Sequence, residues 1–351
     1  AIGRTAMETN TTGTANVAVG KDALLANTTA SNNTAVGFDA LTANTIGASN
    51  VAVGKGALDA NTTASSSVAV GDGALGANTV GSYSVAIGFS ALAAQNPASA
   101  SASFNTAVGT EAGTAVTTGT QNTLIGGLAG DAITTASNNT AVGYASLSAT
   151  TTGTANTAVG KDALLANTTA SSNTAVGMDA LTANTTGDTN TAVGKDSMKA
   201  TTTGTNNSAF GARSLDTNTT GTNNVAVGDQ ALGANTSGNS NTAIGTNALD
   251  ANTTADNNVA VGLNSLGANT TGTQNVAVGI QTLLTNTSGD QNTALGTNAL
   301  LAATTADANT AVGAQALVAN TTGYGNTAVG SLSGDAITTG VNNTTVGRAS
   351  L

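Results

Sequence analysis

Residues 151–185 read TTGTANTAVGKDALLANTTASSNTAVGMDALTANT, and residues 11–45 repeat that string almost unchanged. Within it, an Ala-Val-Gly triplet ends at Gly160 and another at Gly177, seventeen residues later. Marking the equivalent glycine along the whole chain gives 21 positions, from Gly3 to Gly347, separated by 19 intervals of 17 residues and one of 21. The long interval lies between Gly88 and Gly109 and marks a four-residue insertion. With the glycine as offset 0, the consensus is G-x-x-A-L-x-A-N-T-T-G-x-x-N-T-A-V. A second echo, GDAITTASNNTAVG from Gly130, returns as GDAITTGVNNTTVG from Gly334. Block duplications of this kind are cheap where each unit touches only its neighbours.

Seventeen residues are too few for a helix–turn–helix repeat, which needs more than thirty. They suffice for two strands of about five residues and two turns. Offsets 13–16 (N-T-A-V) are rich in β-branched residues and stop at a glycine, as a strand stops at a turn. Offsets 3–8 (A-L-x-A-N-T) make the second segment, and offset 10, usually Gly or Ala, marks the second turn. One coil buries too little to fold alone, so coils must stack. The expectation is an all-β, parallel β-solenoid (a β-roll) of about 20 coils, with residues 1–351 forming a single array. At roughly 4.8 Å per coil, its length is on the order of 100 Å. The chain begins at offset 15 and ends at offset 4, so it is expected to be a piece of a longer protein.

The composition fits a narrow repetitive body and removes several functions. The 351 residues hold 26 charges, 18 of them acidic, for a net charge of −10. There is no His, Cys or Trp, Pro97 is the single proline, and aromatics make up 2%. Without His and Cys there is no imidazole acid–base chemistry, no thiolate nucleophile and no ordinary zinc or transition-metal site. Few basic residues and few aromatics speak against nucleic-acid binding. No apolar run approaches the length of a membrane span. No catalytic residue, metal ligand or cofactor-binding residue is assigned, and an enzyme is not expected.

Comparing one repeat with the next assigns faces to the offsets. All 26 charges fall at offsets 1, 2, 5 and 11, among them Lys21, Lys55, Asp22, Asp39, Asp59, Asp250, Asp188 and Asp290. Unpaired charges are almost never buried, so these offsets form the solvated face. Offset 16 is always apolar and offset 4 is Leu or Met in most coils, so Val19, Val36, Leu24 and Leu41 are expected to form the core ladder. Gly113, Gly130 and Gly334 interrupt offset 4, and each is accompanied by an apolar residue at offset 7, Val116, Ile133 or Ile337. A local rearrangement that keeps the core filled is expected there.

Offset 15 is Ala in 19 of 21 coils, with Leu124 and Thr345 departing, and offset 13 is Asn in 18 of 20. If offset 16 points inward, both columns point outward, where residues are usually free to vary. Ala18, Ala35, Ala52, Ala158 and Ala175, with Asn33, Asn50, Asn156 and Asn173, therefore form a candidate packing face against a sister chain in a symmetric oligomer. The other reading is a coil so flat that Ala is internal and Asn caps a turn. The stacked amides are expected to bond to one another up the ladder. Pro97 and Phe104, in the insertion, are expected on an exposed loop, a place where partners touch and where insertions are harmless.

Other patterns carry less. Gly126–Gly130 lacks the Lys and Ser/Thr of a phosphate loop. The offset-2 aspartates lack the G-G-x-G-x-D pattern of calcium-binding β-rolls. Asn27-Thr28-Thr29 matches a glycosylation sequon only because the repeat contains N-T-T. The Thr columns at offsets 8 and 9 raise ice binding as a remote alternative.

Strings such as NTAVGKDAL and NVAVGKGAL resemble the head repeats of trimeric autotransporter adhesins, the YadA-like (Hep-Hag) family, with its N-S-V-A-I-G-x-x-S-x-A signature. The resemblance covers essentially all 351 residues, although that family's common unit is shorter than seventeen. It implies a left-handed parallel β-roll, three chains side by side, and exposure at a bacterial surface. Similar arrays also look like parts of tail-fibre proteins. The function expected is an extracellular structural and adhesive protein, a rigid head or shaft without enzymatic activity. A phage tail-fibre shaft or a self-assembling extracellular filament is the alternative. The partners expected are sister chains, in a trimer, and a host matrix protein, glycan or neighbouring fibre.

Overall fold

A computed structural model describes residues 1–351 and shows an all-β parallel solenoid of about 19 turns, with a period of about 17 residues and no helix. Two compact units, Ala1–Ala175 and Val176–Leu351, are built alike. The first holds nine three-residue strands, from Val17–Val19 to Thr157–Val159, and the second holds ten, from Thr191–Val193 to Thr344–Val346. Each strand pairs in parallel with the strand one repeat away, in a register that never slips: Thr140, Ala141 and Val142 face Thr157, Ala158 and Val159. Across the insertion Val85 pairs with Thr106, so the four extra residues leave the ladder intact. They add instead a two-residue pairing of Gly81–Ser82 with Ser101–Ala102.

The second wall of the coil, offsets 3–8, is not the strand the sequence suggests. It is a run of turns, still bonded from coil to coil: Leu24 N–H donates to Ala40 O at 3.0 Å and Ala26 N–H to Thr42 O at 3.0 Å. The reason lies in the backbone. Offsets 2 and 4 adopt the left-handed conformation, as at Asp162 (φ 57°) and Leu164 (φ 52°), a region costly for a bulky residue. What this geometry gains is two adjacent inward side chains, since Ala163 and Leu164 are both fully buried. A strand, which alternates its faces, cannot do that. The offset-0 glycine has a different necessity. A Cβ on Gly20, where φ is 137°, would stand 2.3 Å from the carbonyl oxygen of Gly37 in the next coil.

The core corrects the expected orientation of the strand. Leu24 and Leu41 are buried as expected, but Val19 and Val36 are half-exposed, while Ala18, Ala35, Ala52, Ala158 and Ala175 lie inside. The valine half of the core ladder is therefore on the surface. Interior volume decides this. The turn wall already sends in Ala at offset 3 and Leu at offset 4, leaving room for only a methyl group from the strand. Leu124, at offset 15, shows the rule by exception: it is fully buried, and a Cβ on Gly113 or Gly130 would lie 2.6 or 2.8 Å from its methyl carbons. Val116 and Ile133 are fully buried beside it, as the expected rearrangement requires. Interiors packed to near-crystalline density allow such exchanges only in compensated sets.

Candidate interaction surface

The asparagine columns belong to the interior as well. Asn33, Asn50, Asn156 and Asn173 are fully buried, so neither they nor the alanines can meet a sister chain, and the expected packing face is not on the surface. Each amide mortars three coils together. Asn50 Nδ2–H donates to Ala64 O at 2.8 Å, its Oδ1 accepts from Ser67 N–H at 3.0 Å, and its N–H donates to Asn33 Oδ1 at 2.9 Å. The offset-7 asparagines form a second ladder, Asn61 Nδ2 to Asn44 Oδ1 at 2.8 Å and Asn44 Nδ2 to Asn27 Oδ1 at 3.1 Å. Buried polar groups are tolerated where they are paired in this way, and the ladder breaks at Asn61, whose buried Oδ1 has no partner. The same burial takes Asn27 out of reach as a glycan acceptor.

With these columns inside, the outer surface consists of strand offsets 14 and 16, the charged offsets, and the threonine bend. The strand face presents Thr140 and Val142, Thr157 and Val159, and their equivalents, half-exposed at every coil. At the bend, the two threonine columns divide. Offset-8 hydroxyls donate to the next coil, as from Thr45 to Thr62 O at 3.1 Å and from Thr62 to Thr79 O at 3.1 Å. They serve as internal links. The offset-9 column, such as Thr29 and Thr63, is the more exposed of the two.

Charges sit where the repeat comparison places them, and many are locally paired. Lys21 Nζ lies 2.7 Å from Asp22 and Lys161 Nζ 2.6 Å from Asp162, while Lys199 reaches Asp196 at 2.8 Å and Asp179 at 3.6 Å. The Lys21 hydrogen bond, with one from Thr5, holds the Asp22 carboxyl below its usual range. Lys199 does the same for Asp196. At offset 5 the balance reverses: burial raises Asp59, Asp216 and Asp250 above the usual range, opposed by backbone N–H donors. No three metal-ligating side chains converge.

The insertion contributes one apolar surface feature. Pro97, expected on an exposed loop, is buried, its ring packed over Gly81. Phe104 is exposed as expected and stacks on Tyr83, with ring centroids 5.5 Å apart and planes 21° from parallel. Gln95 in the same coil replaces the usual asparagine and spans a gap that Ser84 leaves, through bonds of 3.0 Å to Ser84 Oγ and 2.9 Å from Asn105. No helix is long and apolar enough to cross a membrane. No protein-family model and no curated protein matches the chain.

Proposed function

We propose that this chain is an extracellular structural and adhesive protein, displayed at a bacterial surface and acting without enzymatic chemistry. The observation that supports this reading is the pair of buried amide ladders. They lock each coil to the next in one register, so that every outer column recurs at about 4.8 Å. Such a surface works by repetition, offering one weak contact many times over, rather than by a single convergent site. The resemblance of NTAVGKDAL and its copies to adhesin heads supports the location. Acidic and hydroxyl groups on the outside suit a host matrix protein, a glycan or a neighbouring fibre.

Lys21, Lys55 and Lys161 are exposed and provide the test. A membrane-impermeant amine reagent applied to intact cells of the producing organism should label the chain as fully as it does after lysis. Labelling that appears only after lysis would contradict a surface role.

A further inference from the structure

The outer strand face has properties that a surface meeting only water does not require. Its two columns, offsets 14 and 16, are Thr or Val and Val, Ile, Leu or Phe in nearly every coil. No charge occupies any of the 38 outward positions in the 19 three-residue strands of the two units, although the chain carries 26 charges. Large apolar side chains stand open on it, including Ile87, Ile125, Phe210 and Leu295. In one strand the volume is also compensated. The single aromatic at offset 16, Phe210, shares its strand with the single serine at offset 14, Ser208. Shrinking one residue where its neighbour grows is the behaviour of packed positions, and extended apolar patches mark interaction sites.

We infer that this face is the contact between two copies of the chain, packed sheet on sheet. Area supports it. A three-residue strand spans about 10 Å and coils rise about 4.8 Å, so each coil offers about 50 Å². Taken one unit at a time, the nine strands of the first and the ten of the second offer about 450 and about 500 Å² per partner, or about 900 and about 1,000 Å² over both partners, the size at which specific contacts begin. Charge supports it as well. Two chains of net charge −10 repel, and this face lets them meet with every acidic column left in water.

The chemistry of the columns completes the fit. Valines of the two ladders interdigitate as in other zippers of stacked identical strands. The hydroxyls of Thr106, Thr123 and Thr140 have no hydrogen-bond partner within the chain, unlike those of offset 8. Each can donate to one hydroxyl and accept from another across the contact. A ring of three would need two different complementary patches on every chain. One self-complementary patch closes a two-fold pair instead.

Light scattering on the full chain tests this. The expected mass is twice the 33.2 kDa of the chain. A double variant, Val142→Lys with Val159→Glu, places opposite charges on adjacent coils, so they pair within their own chain and leave net charge unchanged. It should keep the circular dichroism and melting of the parent while its mass falls to one chain, with dissociation at least tenfold easier. Lys55→Glu, off the face, should leave the mass doubled. A parent mass of one or three chains, or a folded double variant that stays paired, would overturn the inference. The surface-labelling experiment reads independently of mass, so a single chain in solution would leave the proposed location standing.

Discussion

Leu124 does in one coil what leucine at offset 4 does in the others, reaching across the interior from the opposite wall. Leu124→Ala should open a cavity between Gly113 and Gly130 and cost about 2–5 kcal/mol. Gly113→Leu alone should overfill the site and cost about 1–3 kcal/mol. Its backbone, at φ 60°, already holds leucine elsewhere, as at Leu24. Combined, the leucine at 113 takes up part of the volume that Leu124 vacates, on the Gly113 side of the site. A double-mutant cycle in urea should therefore show a coupling of about 1–3 kcal/mol in favour of the pair, and simple additivity would refute the shared volume. At Asp250, burial raises the carboxyl pKa, so folding is weakened above that pKa and the penalty disappears as pH falls through it. Asp250→Asn should stabilise the protein by a few tenths of a kcal/mol at pH 7, with no gain once the pH lies below the ordinary carboxylate range. Equal gains at both pH values would mean that charge is not the cause. The sequence places all 26 charges correctly, because solvation constrains them column by column. It misplaces Val19 and Ala18 because bulky residues usually point inward, and the limit on interior width belongs to the facing wall. The coincidence of Leu124 with Gly113 and Gly130, and of Thr345 with Gly334, is the signal that reveals that width.

At the level of the coil, the amide ladders carry the register. Asn258 accepts from Asn275 N–H at 3.0 Å, donates to Gly272 O at 2.8 Å, and receives Asn241 Oδ1 at its own N–H at 3.0 Å. Asn258→Ala leaves the buried Asn275 N–H without an acceptor, while Gly272 O keeps its bond from Asn269 and Asn241 Oδ1 keeps its bond from the residue-258 N–H, and should cost about 1–3 kcal/mol, the penalty of one orphaned buried group. Asn258→Asp cannot donate to Gly272 and should be at least as damaging at pH 7. Thermal melts of the two variants check this, and a loss below about 0.5 kcal/mol would mean that water replaces the amide. The stacking of asparagines is legible from their repetition. The turn wall is not, since A-L-x-A-N-T has the composition of a half-buried strand. The trace it leaves is glycine at offset 4 in three coils and at offset 2 in Gly56 and Gly73, residues that accept positive φ.

For the whole molecule, the period is the constraint on which everything else rests. Removal of residues 228–244 joins Val227 to Gly245 and takes out one repeat in phase. Solenoid stability is close to a sum over neighbours, so the shortened protein should keep its β-signature and melt within a few degrees of the parent. Removal of residues 228–235 alone breaks the phase of both amide ladders and should destabilise the second unit strongly. Similar melts for the two deletions would show that phase does not matter.

The central claim, coils stacked one per 17 residues in a fixed register, can be measured as a distance. Lys21 and Lys161 are exposed, occupy the same offset eight coils apart within the first unit, and stand in a chain without cysteine. Spin labels on Lys21→Cys and Lys161→Cys, diluted with unlabelled protein, should give one narrow distance distribution near 38 Å, eight coils at about 4.8 Å each. A broad distribution, or a mean displaced by more than about two coil heights, would contradict the solenoid.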